Sequence, residues 1–138
     1  MSVYVVIMAG GKGERLWPLS QGDRPKQLLS FGSHRSLLRA AFERTVQLTT
    51  PEYVLVVTNE QIADAVRSQL PEVPPSNVLA EPVGRNTAPC IAYAAASISL
   101  KDPQAVMAIF PSDQLISNEN DFLRTVRFGI DSLRDHPE

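Results

Sequence analysis

Four short apolar runs alternate with four helical patterns along the chain, and this alternation limits the folds open to it. The runs are rich in Val and Ile and lack the polar alternation of a sheet with one solvated face. Strands buried on both faces and joined through helices form a doubly wound sheet whose neighbouring strands run parallel. We therefore predict an α/β fold of the Rossmann-like, three-layer αβα type with a mainly parallel sheet. The predicted strands are residues 3–8, 53–58, 77–80 and 105–110, and the predicted helices are about residues 37–46, 60–70, 86–100 and 120–133.

The composition excludes several classes of protein. The 138 residues carry a formal net charge of −2, which does not suit the basic face of a nucleic-acid binder. No stretch approaches the roughly 18 apolar residues of a membrane-spanning helix, and we expect no secretory signal. The one cysteine, Cys90, rules out an intrachain disulfide and falls on the apolar side of a predicted helix. We expect a cytoplasmic protein with neither nucleic acid nor membrane as partner.

Gly10, Gly11 and Gly13 follow directly on the first predicted strand. Glycines there let the backbone turn sharply and expose N–H groups to an anion, although a plain tight turn is the simpler explanation of a glycine pair. A P-loop is excluded because Lys12 is followed by Gly13 rather than by Ser or Thr. A dinucleotide-binding fingerprint is excluded because Leu16 stands where its third glycine would be.

A long basic loop follows the glycines. Four cations, Lys12, Arg15, Arg24 and Lys26, outnumber the acids of the same stretch. A loop of this length inside a compact domain is uncommon unless it has a function. Cations gathered around exposed backbone N–H groups suit a polyphosphate, so we predict a phosphate-binding loop.

Three separate sequence features follow the ends of three predicted strands. Gly10 lies just past the first strand, Glu81 past the third and Asp113 past the fourth. Ligands of open parallel sheets bind at the carboxyl ends of the strands. We therefore expect these residues to lie around one crevice.

The motifs of this crevice resemble those of a known family. The stretches "AGGKGERLWPLS" and "RPKQLL" resemble the motif of sugar-phosphate nucleotidyltransferases. The residues Trp17 and Gln27 resemble those of one branch of this family, the mannose-1-phosphate guanylyltransferases. Two later stretches, "EPVGRNTAPCIAYAA" and "FPSDQLI", also resemble that branch. The resemblance spans the whole chain. It implies the transfer of GMP from GTP to mannose 1-phosphate, which gives GDP-mannose and pyrophosphate.

Glu81 is the candidate residue for recognising the base. Guanine presents N1–H and N2 amino donors side by side, which match the two acceptors of a carboxylate. A wrong base would leave the carboxylate unsatisfied, at a cost of about a few kcal/mol. Gly84 would let the ring lie against the backbone. The alternative is that Glu81 is a solvated loop acid before Pro82.

Asp113 is the candidate ligand of Mg²⁺. Mg²⁺ commonly takes one or two protein carboxylates and completes its shell with phosphate oxygens and water, so one aspartate in a phosphate crevice suffices. A lone aspartate after a strand is also a common turn or cap residue. The family resemblance implies a magnesium-binding Asp at this position, usually followed by His, whereas this chain has Gln114.

The resemblance implies the remaining roles as well. Arg15 and Lys26 would be the catalytic cations, Arg15 on the triphosphate and Lys26 between the α-phosphate and the sugar phosphate. No nucleophilic side chain is needed, because an oxygen of the sugar phosphate attacks the α-phosphorus. Asn86 could contact the nucleotide or could instead cap the third helix. The nucleotide-binding residues would be Gly10, Gly11, Lys12, Gly13, Gln27, Glu81, Gly84 and Asn86.

The predicted helix 120–133 is the last element, and no strand pattern follows it. We expect residues 1–138 to form the N-terminal, nucleotide-binding part of a nucleotidyltransferase domain, an incomplete unit that self-associates through open sheet edges and uncovered apolar surface. Two alternatives to the guanylyltransferase stay open. One is a nucleotide-binding fragment without activity of its own, and the other is a relative that uses dTTP, UTP or another sugar phosphate.

Overall fold

The computed structural model describes residues 1–11, 25–30, 35–84 and 86–135. In this part of the chain the strands are β1 (Val3–Met8), β2 (Val54–Asn59), β3 (Val78–Glu81) and β4 (Val106–Pro111). The α-helices are α1 (Leu37–Thr45), α2 (Ala63–Gln69), α3 (Thr87–Ser99) and α4 (Glu119–Asp135), and a short 3₁₀ turn covers Lys26–Leu28. None of the described helices is long and apolar enough to cross a membrane.

The strands form one parallel sheet with the order β3-β2-β1-β4. Val5 of β1 pairs with Val54 of β2 and with Ala108 of β4, so β1 has a partner on each side. Because all the strands run in the same direction, they end at the same edge, which we call the carboxyl edge. The predicted α/β class with a parallel sheet is confirmed.

Helices cover both faces of the sheet. Alternate residues of β1 go to different clusters: Val5 and Ile7 pack with α1, α2 and α4, whereas Tyr4 and Val6 pack with α3. This division gives the three-layer αβα arrangement that the sequence predicts. The first cluster takes Leu38, Phe42, Val66 and Val126 from its helices, and the second takes Cys90, Ala94 and Ile98 from α3.

The predicted strands agree with the observed ones to within one residue, because each is an uninterrupted apolar run. Helix α2 begins later than predicted, at Ala63 rather than near Glu60. The Oδ1 atom of Asn59 accepts a hydrogen bond from the N–H of Ile62 at 3.2 Å. This local turn takes the place of the first predicted helical residues.

β3 and β4 are the edge strands of the sheet within the described residues. On the face that α3 covers, Met8, Met107 and Ile109 are only partly buried. Partly exposed apolar surface beside an open strand edge favours association. Self-association stays a prediction.

An ion-pair network fastens α1 to the segment that follows α2. Arg39 donates two hydrogen bonds to the carboxylate of Glu72, at 2.8 and 2.7 Å, and one to Glu43 at 2.9 Å. The hydrogen bonds from Arg39 hold the pKa of Glu72 below its ordinary value. The same bonds raise the pKa of Arg39.

We expect this network to make stability depend on pH in the acid range. Because folding lowers the pKa of Glu72, its stabilising contribution is present above the unfolded pKa of about 4.3 and is lost as the pH falls through the folded value. Glu72→Gln should therefore unfold at a slightly lower temperature than the wild type at neutral pH, by a small amount since the pair is partly exposed. The two unfolding midpoints should converge in acid. A difference that stays constant with pH would contradict this assignment.

Candidate functional site

The first part of the site is the point at which the chain leaves β1. The N–H of Ala9 donates to the carbonyl of Val57 at 2.8 Å, and Oγ1 of Thr58 donates to the carbonyl of Ala9 at 3.0 Å. Thr58 is fully buried. β2 therefore fixes where the glycine turn begins. Thr58 was not among the predicted site residues. Its position as a polar residue at the end of an apolar strand is the sequence feature that could have indicated this role.

The glycine turn lies against Glu81. A Cβ added at Gly10 would lie 3.6 Å from Oε2 of Glu81 and 4.0 Å from the Cα of Thr58, so a side chain there would be in van der Waals contact with the carboxylate. Gly11 has a φ of 133°, a conformation that residues with side chains rarely adopt. The structure thus brings the predicted Gly10, Gly11 and Glu81 together at the carboxyl edge.

Gln27 lies beneath the glycine turn. The residue is 1% exposed, and its Nε2 donates to the carbonyl of Gly11 at 3.5 Å. Its Oε1 is buried and accepts no hydrogen bond within the described residues. Gln27 was predicted to bind the nucleotide near the base. The structure gives Gln27 a contact with the backbone of the turn, and its predicted role near the base stays a prediction.

Lys26 and Asp113 form an ion pair across the carboxyl edge. Lys26 begins the 3₁₀ turn that follows the basic loop. Asp113 follows the buried Ser112, whose N–H donates to the carbonyl of Met8 at 3.2 Å. The two side chains are 23% and 32% exposed, so the pair faces solvent. Two residues predicted for different roles, phosphate binding and metal binding, are therefore direct neighbours.

Asp113 fits a Mg²⁺ site of the kind that a nucleotide completes. Its carboxylate already holds the ammonium group of Lys26 at the mouth of the crevice. Among the described residues, no three His, Cys, Asp or Glu side chains cluster to make a metal site from protein alone. A single carboxylate is compatible with Mg²⁺ when phosphate and water oxygens supply the other ligands.

Glu81 ends β3 and lies close to the first turn of α3. Burial, followed by the negative charge of Glu81, raises the pKa of Cys90 to about 11. The buried thiol therefore stays protonated at neutral pH. Cys90 is buried in the core, as expected for a residue on the apolar side of the predicted helix.

Gly84 and Asn86 lie on the exposed segment between β3 and α3. Within the described part of the chain, no atom lies within 4 Å of a Cβ built at Gly84, so the space beside it is open to a planar ring. Asn86 has a φ of 70°, and its side chain makes no capping hydrogen bond to α3. The alternative role of Asn86 as a side-chain cap is therefore not observed, and its amide stays exposed.

Several predicted residues of the basic loop lie outside the described residues. These are Lys12, Gly13 and Arg15, together with Trp17 and Arg24. Their predicted roles stay predictions.

Comparison with known proteins gives relatives along nearly the whole chain. Residues 4–135 match the family model described as nucleotidyl transferase. The chain is 41% identical to the mannose-1-phosphate guanylyltransferase of Salmonella typhimurium, over 92% of this chain and 27% of that protein. It is 39% identical to the mannose-1-phosphate guanylyltransferase of Salmonella montevideo, over 88% of this chain and 26% of that protein. The chain thus spans about a quarter of the length of these curated relatives.

A solved structure agrees with the fold. The mannose-1-phosphate geranyltransferase of Thermus thermophilus superposes with a TM-score of 0.83 at 32% identity, over 96% of this chain and 38% of that one. The family match covers all four strands and the residues gathered at their carboxyl edge. The resemblance seen in the sequence motifs is confirmed. The chain belongs to the nucleotidyl transferase family.

Proposed function

We propose that the chain binds GTP at the carboxyl edge of the sheet, and that the whole protein transfers GMP to mannose 1-phosphate with release of pyrophosphate. Family membership and the relatives named as mannose-1-phosphate guanylyltransferases support this reaction. Because the chain spans about a quarter of their length, binding is proposed for these residues and transfer for the whole protein. Nucleotide binding without transfer by these 138 residues is the second candidate function. We also propose a cytoplasmic location, which suits a single buried cysteine.

The proposal rests most directly on the closeness of Gly10 to Glu81, whose carboxylate would lie 3.6 Å from a Cβ at Gly10. Glu81 is partly exposed, and since Gly10 has no side chain we expect the Glu81 carboxylate to be accessible to a flat ligand that lies over the turn. The open space beside Gly84 lies on the same segment that leaves β3. A guanine ring would offer its N1–H and N2 amino donors to the two carboxylate oxygens. The buried Oε1 of Gln27 is a further acceptor next to the turn.

Lys26 and Asp113 would serve the phosphate end of the nucleotide. Asp113 would hold Mg²⁺, which when bound neutralises phosphate charge and orients the triphosphate. Lys26 would exchange its contact with Asp113 for one with the α-phosphate, whose negative charge attracts it in the same way. The backbone N–H groups of Gly10 and Gly11 are suited to donate to phosphate oxygens.

The proposed transfer needs no protein nucleophile. An oxygen of mannose 1-phosphate forms a bond to the α-phosphorus of GTP, while the bond from that phosphorus to the bridging oxygen of the β-phosphate breaks. The bond's electron pair leaves with the pyrophosphate. Lys26 would hold the two reacting phosphates close together and offset their repulsion. Arg15 is proposed to stabilise the departing pyrophosphate.

A calorimetric titration of the chain with GTP, ATP, UTP and dTTP, each with Mg²⁺, tests the proposal. We expect GTP to bind at least about tenfold more tightly than the others, because a mismatched base leaves the Glu81 carboxylate without its two donors. Glu81→Gln should remove most of this preference, since an amide offers one acceptor where guanine needs two.

Glu60→Gln is the matched control for this titration. Glu60 is an exposed acid at the same edge, and its N–H donates to the carbonyl of Glu81 at 3.3 Å. This variant should keep the wild-type preference for GTP. Equal affinities for the four nucleotides would contradict Glu81 as the base-recognising residue, and no binding of any of them would contradict a nucleotide site.

A further inference from the structure

Arg44 is a buried cation that the proposed function does not use. It lies in the last turn of α1, and its side chain is 4% exposed. Its guanidinium donates to the carbonyl of Gln114 at 3.4 Å and lies 3.6 Å from the carboxylate of Glu119. It also lies over the ring of Phe122, 5.6 Å from the ring centre. All these contacts are with α4 or with the segment that precedes it.

The segment between β4 and α4, residues 112–118, carries Asp113 and packs loosely. Asp113, Gln114 and Leu115 are exposed. A pocket of about 150 Å³ adjoins the segment and is lined by Arg44, Leu115 and Ile116 among others. Close packing of apolar side chains is what normally fixes a backbone in a protein interior. Around segment 112–118 such packing is sparse, so it does little to fix the position of Asp113.

Polar contacts hold the segment instead. Its start is tied to β1 by the N–H of Ser112, and its end is tied to α4 by Asn118, whose Oδ1 accepts from the N–H of Asp121 at 3.1 Å. Between these ends, Lys26 pairs with Asp113, and Arg44 donates to the carbonyl of Gln114. In the proposed function Lys26 turns to the phosphates when nucleotide binds. The contact from Arg44 does not depend on that exchange and would remain.

We propose that Arg44 is a positioning residue that holds segment 112–118, and with it Asp113, in the place where Asp113 takes the metal of a metal–nucleotide complex. The inference rests on the proposed function, in which Asp113 is the metal ligand. Arg44 bonds the backbone of the residue next to Asp113, so it acts on the ligand through the chain rather than by touching the metal. Groups that orient a metal ligand in this way typically account for about 10- to 100-fold in metal affinity.

Burial makes the contacts of Arg44 costly to lose. Burial lowers the pKa of Arg44, and the charge of Glu119 acts in the opposite direction. A buried guanidinium is stabilised by the few groups that contact it, and removing it leaves those buried groups without their partner. A cation with a structural role alone would stabilise α4 against α1 and leave metal binding unchanged. The experiment has to separate these two roles.

The test titrates a fixed, limiting amount of the Mn²⁺–GTP complex with the wild type, Arg44→Met, Arg44→Lys or Arg39→Met, and measures by electron paramagnetic resonance the fraction of Mn²⁺ that becomes protein-bound. Arg39 is the matched control because it lies on the same helix, is ion-paired, and lies 5.2 Å from the centre of the Phe42 ring. Its partner Glu72 belongs to the segment after α2, away from Asp113. Metal-free GTP affinity and the thermal unfolding midpoint are measured on the same four proteins.

We expect Arg44→Met to weaken Mn²⁺ binding by about tenfold or more, with metal-free GTP affinity unchanged. Arg44→Lys should show a smaller loss, because lysine keeps the charge but cannot reach Gln114 and Glu119 together. Arg39→Met should lower the unfolding midpoint and leave Mn²⁺ affinity unchanged.

Four results would overturn the inference. Wild-type Mn²⁺ affinity in both Arg44 variants would give Arg44 a structural role alone. An equal loss in Arg39→Met would show a general effect of disturbing α1. If Arg44→Met does not fold, Arg44→Lys decides, and wild-type affinity there would be the contradicting result. Failure of the wild type to bind Mn²⁺ with GTP would instead show that the proposed metal site at Asp113 is wrong, and the inference would fall with it.

Discussion

Replacing Lys26 with methionine is expected to lower the rate of GMP transfer by the whole enzyme by about 100-fold or more, without unfolding it. Lys26 is the described cation that stands at the carboxyl edge beside the proposed metal ligand, Asp113. Methionine keeps the length of the side chain and removes the charge that offsets repulsion between the two phosphates. Because the ion pair is partly exposed, its loss should cost at most about 1 kcal/mol of folding free energy. Pyrophosphate release with GTP, mannose 1-phosphate and Mg²⁺ measures the rate.

Lys101→Met is the matched control for this variant. Lys101 lies between the end of α3 and the start of β4, at the edge of the sheet opposite the carboxyl edge. Its Nζ atom donates to Oδ1 of Asn77 at 3.4 Å. Its removal takes one positive charge from the protein but none from the carboxyl edge. We expect a wild-type rate. A wild-type rate in Lys26→Met as well would show that Lys26 is a surface residue outside the reaction.

Gly11→Ala is expected to weaken GTP binding by about tenfold or more and to destabilise the fold by about 1–3 kcal/mol. The φ of 133° at Gly11 is strained for any residue with a Cβ. The turn can relax only by moving the carbonyl that accepts from Gln27 and the N–H groups that face the proposed phosphate site. Calorimetry with GTP and chemical unfolding measure the two effects.

Gly129→Ala separates the effect of the turn from the effect of losing any glycine. Gly129 lies in α4, and among the described residues no atom is within 4 Å of a Cβ built there. Alanine in a helix interior is favoured over glycine by about 0.5–1 kcal/mol, so this variant should be more stable and bind GTP normally. Normal GTP binding by Gly11→Ala would contradict the role given to the turn.

The strands and their order along the chain could be predicted because each buried run is continuous, rich in Val and Ile, and bounded by polar residues. The prediction that Gly10, Glu81 and Asp113 share one edge needed one further rule, that parallel strands end together. The rule does not depend on which strands are neighbours. The shared edge could therefore be predicted without knowing the strand order β3-β2-β1-β4.

The contacts within the site could not be predicted in the same way. Lys26 and Asp113 meet because β4 pairs with β1, a pairing between residues far apart in the sequence. The burial of Gln27 depends on how the 3₁₀ turn packs under Gly11, and no residue pattern indicates it. Arg44 has the appearance of an ordinary helix-surface cation in the sequence. Its burial arises only when α4 packs beside α1.

If nucleotide occupies the carboxyl edge, the backbone amide NMR spectrum of the chain should change at that edge when GTP and Mg²⁺ are added. We predict that chemical-shift changes concentrate at Gly10, Gly11, Glu81, Gly84 and Asp113. Residues 99–105, at the opposite edge, should keep their free-state shifts. Changes concentrated at that opposite edge, or none at saturating GTP, would contradict nucleotide binding at the carboxyl edge.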